Sequence, residues 1–232
     1  MSRSPATVLP EVIPPLRHGD RLTSEEFERR WEAMPHLKRA ELLRGIVHRP
    51  PPPVHPEHHG GPHADLILWL GLFRIATPGG QVFDNSTLRL GPLNRPQPDA
   101  VLVVTGRGKG FPMMGPDGYL VGAPQLAAEV AASSARLDRG LKFDIYREQG
   151  ISEYLIWFTL DRTIEWYRQS DEQYARLPPG EDGIIRSQVF PGLWLDPHAL
   201  VSREMARVVD VARQGLDSAE YAAFRDGLDP GS

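Results

Sequence analysis

Three charged residues interrupt the most apolar part of the sequence, and their types suit one kind of chemistry. Asp99 opens the run PDAVLVV, Glu129 lies within QLAAEVAA, and Lys142 follows in the next segment. A buried carboxylate without a partner is costly, so it usually meets a cation, shifts its pKa or reaches water. Two carboxylates at neighbouring strand ends would hold Mg²⁺ or Mn²⁺, which prefer oxygen ligands. A lysine beside them would stabilise the charge of a reacting phosphate or position an attacking water, whose pKa the metal lowers.

The segment that carries Lys142 has a helical spacing of polar residues. Asp138, Lys142 and Tyr146 recur every four residues, so they share one face of a predicted helix and are able to meet one phosphate. The alternative is an ordinary surface salt bridge with an aromatic neighbour, worth roughly a few tenths of a kcal/mol. The 26 basic residues include only the lysines Lys38, Lys109 and Lys142, so a lysine at this place is informative.

The elements around these residues predict a mixed sheet flanked by helices, an α/β (α+β) fold. In chain order they are a helix opened by a capping box at Thr23–Glu26, a strand pair or bent strand over residues 39–49 that turns near Arg44 and Gly45, a helix from Pro62 to Thr77, the strands QVFDNSTLRL, PDAVLVV and QLAAEVAA, a helix over residues 135–149, the strands EYLIWFTL and TIEWYRQ, and a last helix over residues 198–214. The run PPPPVHPEHHGG is predicted to break all regular structure.

Length and composition bound the remaining choices. The 232 residues fit one domain over residues 21–215, with an extended or poorly ordered arm at 1–20 and a C-terminal tail at 216–232. The absence of cysteine excludes disulfides and thiolate metal sites and favours a cytoplasmic location. The longest apolar run, ADLILWLGLF, is too short for a membrane span. A net charge of −4 argues against tight nonspecific binding of nucleic acid.

The motif set as a whole resembles a known family. PDAVLVV, LAAEVAASS, and Asp138 with Lys142 and Tyr146 ahead of GISEYLIW are similar to the Uma-type (DUF820-like) family of putative restriction endonucleases, a branch of the PD-(D/E)XK nuclease superfamily. The resemblance runs from about Leu22 to Leu195. It implies a restriction-endonuclease-like core with a magnesium-dependent nuclease site.

The resemblance also implies a role for each site residue. Asp99 and Glu129 would be metal ligands and Lys142 the catalytic lysine. Glu41 of the ELLRG segment would be a nearby acid on the first helix or first strand. The usual lysine of the superfamily lies two residues after the acid, where this chain has Ala131. Lys142 would therefore reach the site from the following helix instead.

Other polar clusters carry weaker hypotheses. The four histidines between His55 and His63 suggest zinc, but Gly60, Gly61 and Pro62 interrupt the helical turn that a zinc pair needs. The resemblance implies instead that His59 or His63 faces the mouth of the active site. The stretch GRGKG lacks the spacing of a phosphate-binding loop and is predicted to be a flexible loop that touches DNA.

These observations favour a metal-dependent endonuclease that hydrolyses phosphodiester bonds of DNA. Asp99, Glu129, Lys142 and Glu41 are its predicted catalytic residues, and a homodimer is expected because cutting two strands needs two sites. Asp138, Tyr146 and His59 are accessory candidates. The alternative is a catalytically idle protein on the same fold, acting as a dimeric interaction or nucleic-acid-binding module.

Overall fold

The computed structural model describes residues 12–49, 55–105 and 113–228. The strands are β1 (Glu41–Leu43), β2 (Ile46–His48), β3 (Gly80–Asp84), β4 (Leu88–Arg89), β5 (Ala100–Val104), β6 (Met113–Met114), β7 (Leu120–Val121), β8 (Leu126–Ala131), β9 (Glu153–Phe158), β10 (Thr163–Ser170), β11 (Gln173–Arg176), β12 (Ile185–Arg186) and β13 (Trp194–Leu195). The helices are α1 (Ser24–Glu32), α2 (Gly61–Ala76), α3 (Ala135–Leu137), α4 (Phe143–Glu148), α5 (Pro197–Val201), α6 (Met205–Leu216) and α7 (Ala219–Asp226), with π-helical turns at Pro56–Gly60 and Asp138–Lys142.

A six-stranded mixed sheet forms the centre of the molecule. Its strand order is β11-β10-β9-β8-β5-β3, in which β8 and β9 run parallel and every other neighbouring pair runs antiparallel. The central strands β5, β8 and β9 are buried at every position, which explains why they read as continuous apolar runs. The mixed α+β fold is therefore confirmed.

Helices cover both faces of this sheet. On one face, Trp69 and Phe73 of α2 pack in the largest core cluster, and the ring of Trp69 meets Trp166 edge to face. On the other face, Ile145 and Tyr146 of α4 pack in a second cluster with residues of β8 and β9. Alternation along β8 therefore assigns Leu126, Ala128 and Val130 to the α2 face, and Ala127 and Ala131 to the α4 face.

A smaller layer is built from α1 and the β1–β2 hairpin. The predicted capping box is present, since the Thr23 hydroxyl accepts a hydrogen bond from the Glu26 amide. The hairpin turns at Arg44 and Gly45, both with positive φ, where the sequence predicts it. Phe27 of α1 packs under this hairpin with other buried apolar residues. The layer places β1, and with it Glu41, beside the central sheet.

Two helical predictions need correction. The segment after β8 is not one regular helix, because α3 and α4 are joined by the wide turn Asp138–Lys142. The predicted break before α2 is wrong within the described residues, since Pro56–Gly60 is a helical turn that continues into α2. Proline suits this first turn because the amide hydrogen it lacks would be unpaired there.

The predicted domain limits, which set an arm at residues 1–20 and a tail at residues 216–232, stay predictions. Leu16 is buried against α1 and the hairpin, and Tyr221 and Phe224 of α7 pack on Phe73. Residues 1–11, 50–54, 106–112 and 229–232 lie outside the described residues, and they include the GRGKG stretch and most of the predicted arm. Among the described helices, none is both long and apolar enough to cross a membrane.

Candidate active site

The register of two central strands brings Asp99 and Glu129 together. In the antiparallel pair β5–β8, Ala100 lies opposite Ala128 and Val101 opposite Ala127. Extending this register by one residue places Asp99 opposite Glu129, on the face that α4 covers. Residues directly opposite in such a pair have Cβ atoms roughly 4.5–5.5 Å apart. Both carboxylates are almost completely buried.

Lys142 and Tyr146 both contact Glu129. The Lys142 ammonium donates to Glu129 Oε1 at 2.8 Å, and the Tyr146 hydroxyl donates to the same oxygen at 2.9 Å. Burial raises the pKa of Tyr146 well above its usual value, so the phenol stays protonated and acts as a donor. The spacing of four residues therefore brings both side chains to one carboxylate, and neither faces solvent.

Two more carboxylates complete the surroundings of Lys142. Its ammonium nitrogen lies 2.9 Å from Glu41 Oε1 and 3.6 Å from Asp138 Oδ1. Glu41 lies on β1, so the strand rather than the helix alternative holds, and its Oε1 also accepts the Gln97 amide at 2.7 Å. Neither oxygen of Asp138 has a hydrogen-bond partner among the described residues. The wide helical turn is what directs both Asp138 and Lys142 inward.

Asp99 is held by a separate set of donors. Its Oδ1 accepts from the Arg39 guanidinium at 2.9 Å, and its Oδ2 accepts from the Val130 amide at 2.8 Å. His59 donates from Nδ1 to the Val130 carbonyl at 2.9 Å, which leaves its Nε2 at 3.6 Å from Asp99 Oδ1. His63 donates from Nε2 to the Asp99 carbonyl at 2.9 Å, and the two imidazole rings stack. Both histidines thus brace the strand end that carries Asp99.

The buried cluster is acidic overall. Its four carboxylates, Glu41, Asp99, Glu129 and Asp138, face two cationic side chains, Lys142 and Arg39, which leaves a formal excess of two negative charges. Burial raises the pKa of Glu129, Lys142 opposes this rise, and the neighbouring acids add to it. Burial likewise raises the pKa of Asp138. For Lys142, burial alone would lower the pKa, but Glu129, Glu41 and Asp138 outweigh it and raise the value.

A cavity of about 330 Å³ gives access to this cluster. Glu41, Glu129, Asp138 and Lys142 line one part of its wall. Other parts are lined by Arg39 and by basic or imidazole side chains, namely His18, His48, Arg49, His55 and His59. A volume of this size is at the lower end of the range for small-ligand sites, roughly 300–1,000 Å³. The acidic cluster therefore borders a space that a substrate group is able to enter.

The donor set suits a hard divalent cation in chemistry and charge. Carboxylate oxygens are the ligands that Mg²⁺ and Mn²⁺ prefer, and one divalent ion would cancel the excess charge of the cluster. Within the described ranges, however, no group of three or more histidine and acidic side chains is already arranged around one metal position. The contacts explain this arrangement. The Lys142 ammonium lies between the carboxylates of Glu41 and Glu129, and the Arg39 guanidinium binds Asp99.

Several residues of the site were not identified from the sequence. Arg39 lies two residues before Glu41, and an alternating strand pattern places such residues on one face, so this signal was present. His18 and His48 carry no comparable signal. They reach the cavity because residues 17–21 pair with β2, through the bonds from the Gly19 amide to the Val47 carbonyl and from the Val47 amide to the Asp20 carbonyl.

Comparisons with known proteins bear on the fold and the family of the chain. No curated protein matches the chain. A crystal structure from Anabaena variabilis ATCC 29413, described as "a putative nuclease belonging to DUF820", is similar with a TM-score of 0.55 at 13% identity. That similarity covers 75% of this chain and 97% of the other, and at this identity it concerns the fold. The model of the Uma2 family, described as "Putative restriction endonuclease", matches residues 24–198. The chain therefore belongs to the Uma2 family.

Proposed function

We propose that the chain is a metal-dependent endonuclease that hydrolyses phosphodiester bonds of DNA, with Asp99 and Glu129 as ligands of Mg²⁺ or Mn²⁺. The observation that carries this proposal is the buried acidic cluster, of which Glu41, Glu129 and Asp138 line the cavity and whose formal excess of two negative charges matches one divalent cation. Structural carboxylates rarely gather in such excess, because each buried charge that lacks a counter-ion costs several kcal/mol. Membership of a nuclease family supports the class of reaction.

The side chains have distinct roles in this proposal. When bound, the metal would act as a Lewis acid at the phosphate and lower the pKa of a coordinated water. Lys142 gathers Glu129 and Glu41 and supplies positive charge beside the reacting phosphate. Tyr146 holds one oxygen of Glu129, which leaves the second oxygen for the metal. Asp138, whose carboxylate lacks hydrogen-bond partners in the described residues, is an accessory acid of the site.

The remaining assignments follow from the reaction. His59 has an accessory role, because it donates to the carbonyl of Val130, whose amide binds Asp99, and its Nε2 lies 3.6 Å from Asp99 Oδ1. A cut through both strands of DNA needs two such sites, so we propose a homodimer. A sequence without cysteine fits a cytoplasmic location.

One observation favours a second function. The Lys142 ammonium already contacts Glu129 and Glu41 closely and Asp138 more distantly, so it serves as the internal counter-ion of the cluster. A cluster neutralised in this way would stabilise the fold without metal. On that account the protein is an idle nuclease fold that acts as a dimeric interaction or nucleic-acid-binding module.

The test is metal-dependent cleavage of a DNA pool rich enough to contain any short recognition sequence. Wild-type protein with Mn²⁺ should generate new ends, detected by sequencing, and Glu129→Gln should reduce cleavage by at least about 10²-fold. The matched control is Glu153→Gln, which alters a buried carboxylate away from the cavity. A wild-type protein that binds Mn²⁺ but leaves the whole pool intact would favour the idle fold.

A further inference from the structure

One part of the cavity wall is formed by a cluster of three side chains, those of His18, His48 and Arg49. The Arg49 amide donates to His18 Nδ1 at 3.3 Å, and the Arg49 guanidinium donates to the Leu16 carbonyl at 3.2 Å. The rings of His18 and His48 meet edge to face, with centroids 5.6 Å apart. The backbone bonds between residues 19–20 and Val47 hold the two segments together. These three side chains therefore have fixed positions relative to one another.

This basic wall has donors that nothing in the described chain uses. Because His18 Nδ1 accepts the Arg49 amide, the proton of the neutral ring lies on Nε2, which is then free to donate. Nε2 of His48 is buried without a hydrogen-bond partner among the described residues. A buried polar atom left unpaired costs roughly 1–3 kcal/mol, and His48 lines the cavity, so a ligand group that pairs with this atom would remove the cost.

The charge of Arg49 points to the nature of that partner. Its guanidinium has no carboxylate partner in the part of the chain that the structure describes, where it donates to the Leu16 carbonyl. Burial lowers the pKa of His48, so this ring is a neutral donor or acceptor near pH 7. Guanidinium and imidazole donors together suit the oxygen atoms of a phosphate.

We propose that His18, His48 and Arg49 form a phosphate-binding subsite that holds a second phosphate of the nucleic-acid strand whose scissile phosphate meets the carboxylate cluster. The proposal rests on the proposed function, and it rests also on position, because the same cavity is lined by Glu129 and Lys142. The acidic part of the wall repels phosphate unless a cation is bound, whereas the basic part does not.

The test is binding of a short fluorescein-labelled oligothymidylate, followed by fluorescence anisotropy in EDTA at low ionic strength. Arg49→Gln should weaken binding about tenfold and His48→Ala about fivefold, as expected for one charge-assisted and one neutral hydrogen bond. The matched control is Arg44→Gln, because Arg44 lies in the turn of the same hairpin and is paired with Glu148 outside the cavity lining. That variant loses the same charge and should change the affinity less than about twofold.

Equal losses for Arg49→Gln and Arg44→Gln would overturn the subsite, as would wild-type protein that does not bind the oligonucleotide. Thymidine 5′-monophosphate serves as the second probe. The proposal requires the oligonucleotide to bind at least about tenfold more tightly than this monophosphate. Equal affinities would show that the basic wall binds a free phosphate ester, and would contradict a nucleic-acid strand as its ligand.

A separate Mn²⁺ titration by electron paramagnetic resonance, without DNA, distinguishes failure of the subsite from failure of the proposed function. We expect Arg49→Gln to keep the wild-type Mn²⁺ affinity and Glu129→Gln to lose it. If wild-type protein binds the oligonucleotide through Arg49 but binds no Mn²⁺, the subsite stands and the proposed function fails. If Arg49→Gln also loses Mn²⁺, Arg49 supports the acidic cluster and the subsite is wrong.

Discussion

Glu129 and Glu153 are buried carboxylates on the neighbouring parallel strands β8 and β9, and they face opposite sides of the same sheet. Glu153 lies on the α2 side among neutral donors. Its Oε2 accepts from the Trp166 indole at 3.1 Å and the Ser187 hydroxyl at 2.8 Å, while its Oε1 accepts from the amides of Gln188 and Val189 at 2.9 and 3.1 Å. Glu129 has one cation, one phenol and several other acids nearby.

A structural carboxylate differs from a candidate catalytic one in its hydrogen-bond partners, in the net charge around it and in its access to a cavity. Glu153 joins β9 and β10 to the segment that contains Ser187, and the neutral donors satisfy both of its oxygens. The Glu129 cluster has more acids than cations, contains an unsatisfied Asp138 and opens to a cavity. Burial is common to both, so burial alone does not indicate function. Surplus charge beside accessible space is the better indicator.

The largest expected effect comes from removing the internal cation. Lys142→Met should lower the free energy of unfolding by about 4 kcal/mol at pH 7, because it leaves Glu129 and Glu41 without their shared partner. Urea unfolding measures this change. Added Mn²⁺ should restore part of the loss if the acids then bind the metal. Unchanged stability would show that Lys142 is not the counter-ion of the cluster.

The next effect tests Glu153 as a structural group. Glu153→Leu should cost about 3 kcal/mol of stability, since it leaves buried N–H and O–H donors without an acceptor. The same variant should keep the Mn²⁺ affinity of the wild type, measured at a temperature where it is folded. Loss of Mn²⁺ binding in a folded Glu153→Leu protein would remove the distinction between the two regions.

The pH dependence of stability should separate the ionised and neutral forms of Glu153. Burial raises the pKa of Glu153 to about 7, against a usual value of 4.5, and its four donors oppose the rise. The neutral, protonated form of Glu153 therefore contributes stability that is fully present below pH 4.5, and this stability is lost as the pH rises through about 7. We expect wild type to lose about 3 kcal/mol over this window relative to Glu153→Gln, which stays neutral. Parallel stability curves for the two proteins would contradict this shift.

The smallest effect compares two neighbouring tyrosines. Tyr146 and Tyr154 are both buried with rings in edge-to-face contact, but Tyr146 donates to Glu129 and Tyr154 donates to the Asp138 carbonyl. Each Tyr→Phe change should cost about 1 kcal/mol of stability. Only Tyr146→Phe should also weaken Mn²⁺ binding, by about fivefold in a calorimetric titration. Equal Mn²⁺ affinities in the two variants would show that the phenol does not orient Glu129.

The sequence predicts well what local pattern controls. The apolar runs around Asp99 and Glu129 identify buried central strands, and strand pairing then brings the two acids together. The same reasoning does not separate Glu129 from Glu153, because both are single acids in apolar strands. Their difference lies in partners such as Ser187 and Lys142, and only the tertiary structure shows where these partners lie.

Long-range pairing and irregular helical turns explain why other features of the site could not be predicted from the sequence. The turn Asp138–Lys142 is wider than a regular helix, and the side chains it directs inward are stabilised by Glu129 from another element. His18 joins the cavity through hydrogen bonds to a hairpin about thirty residues later in the chain, and no local pattern reports such contacts. The roles of the site residues remain predictions that the experiments above are designed to test.

Anomalous diffraction from crystals soaked in Mn²⁺ tests the central claim most directly. We expect one manganese peak between Asp99 and Glu129 in wild-type crystals, its loss in Asp99→Ala, and its retention in Glu153→Gln. A wild-type crystal without a peak at this place, or a peak that survives in Asp99→Ala, would contradict the assignment of these two acids as metal ligands.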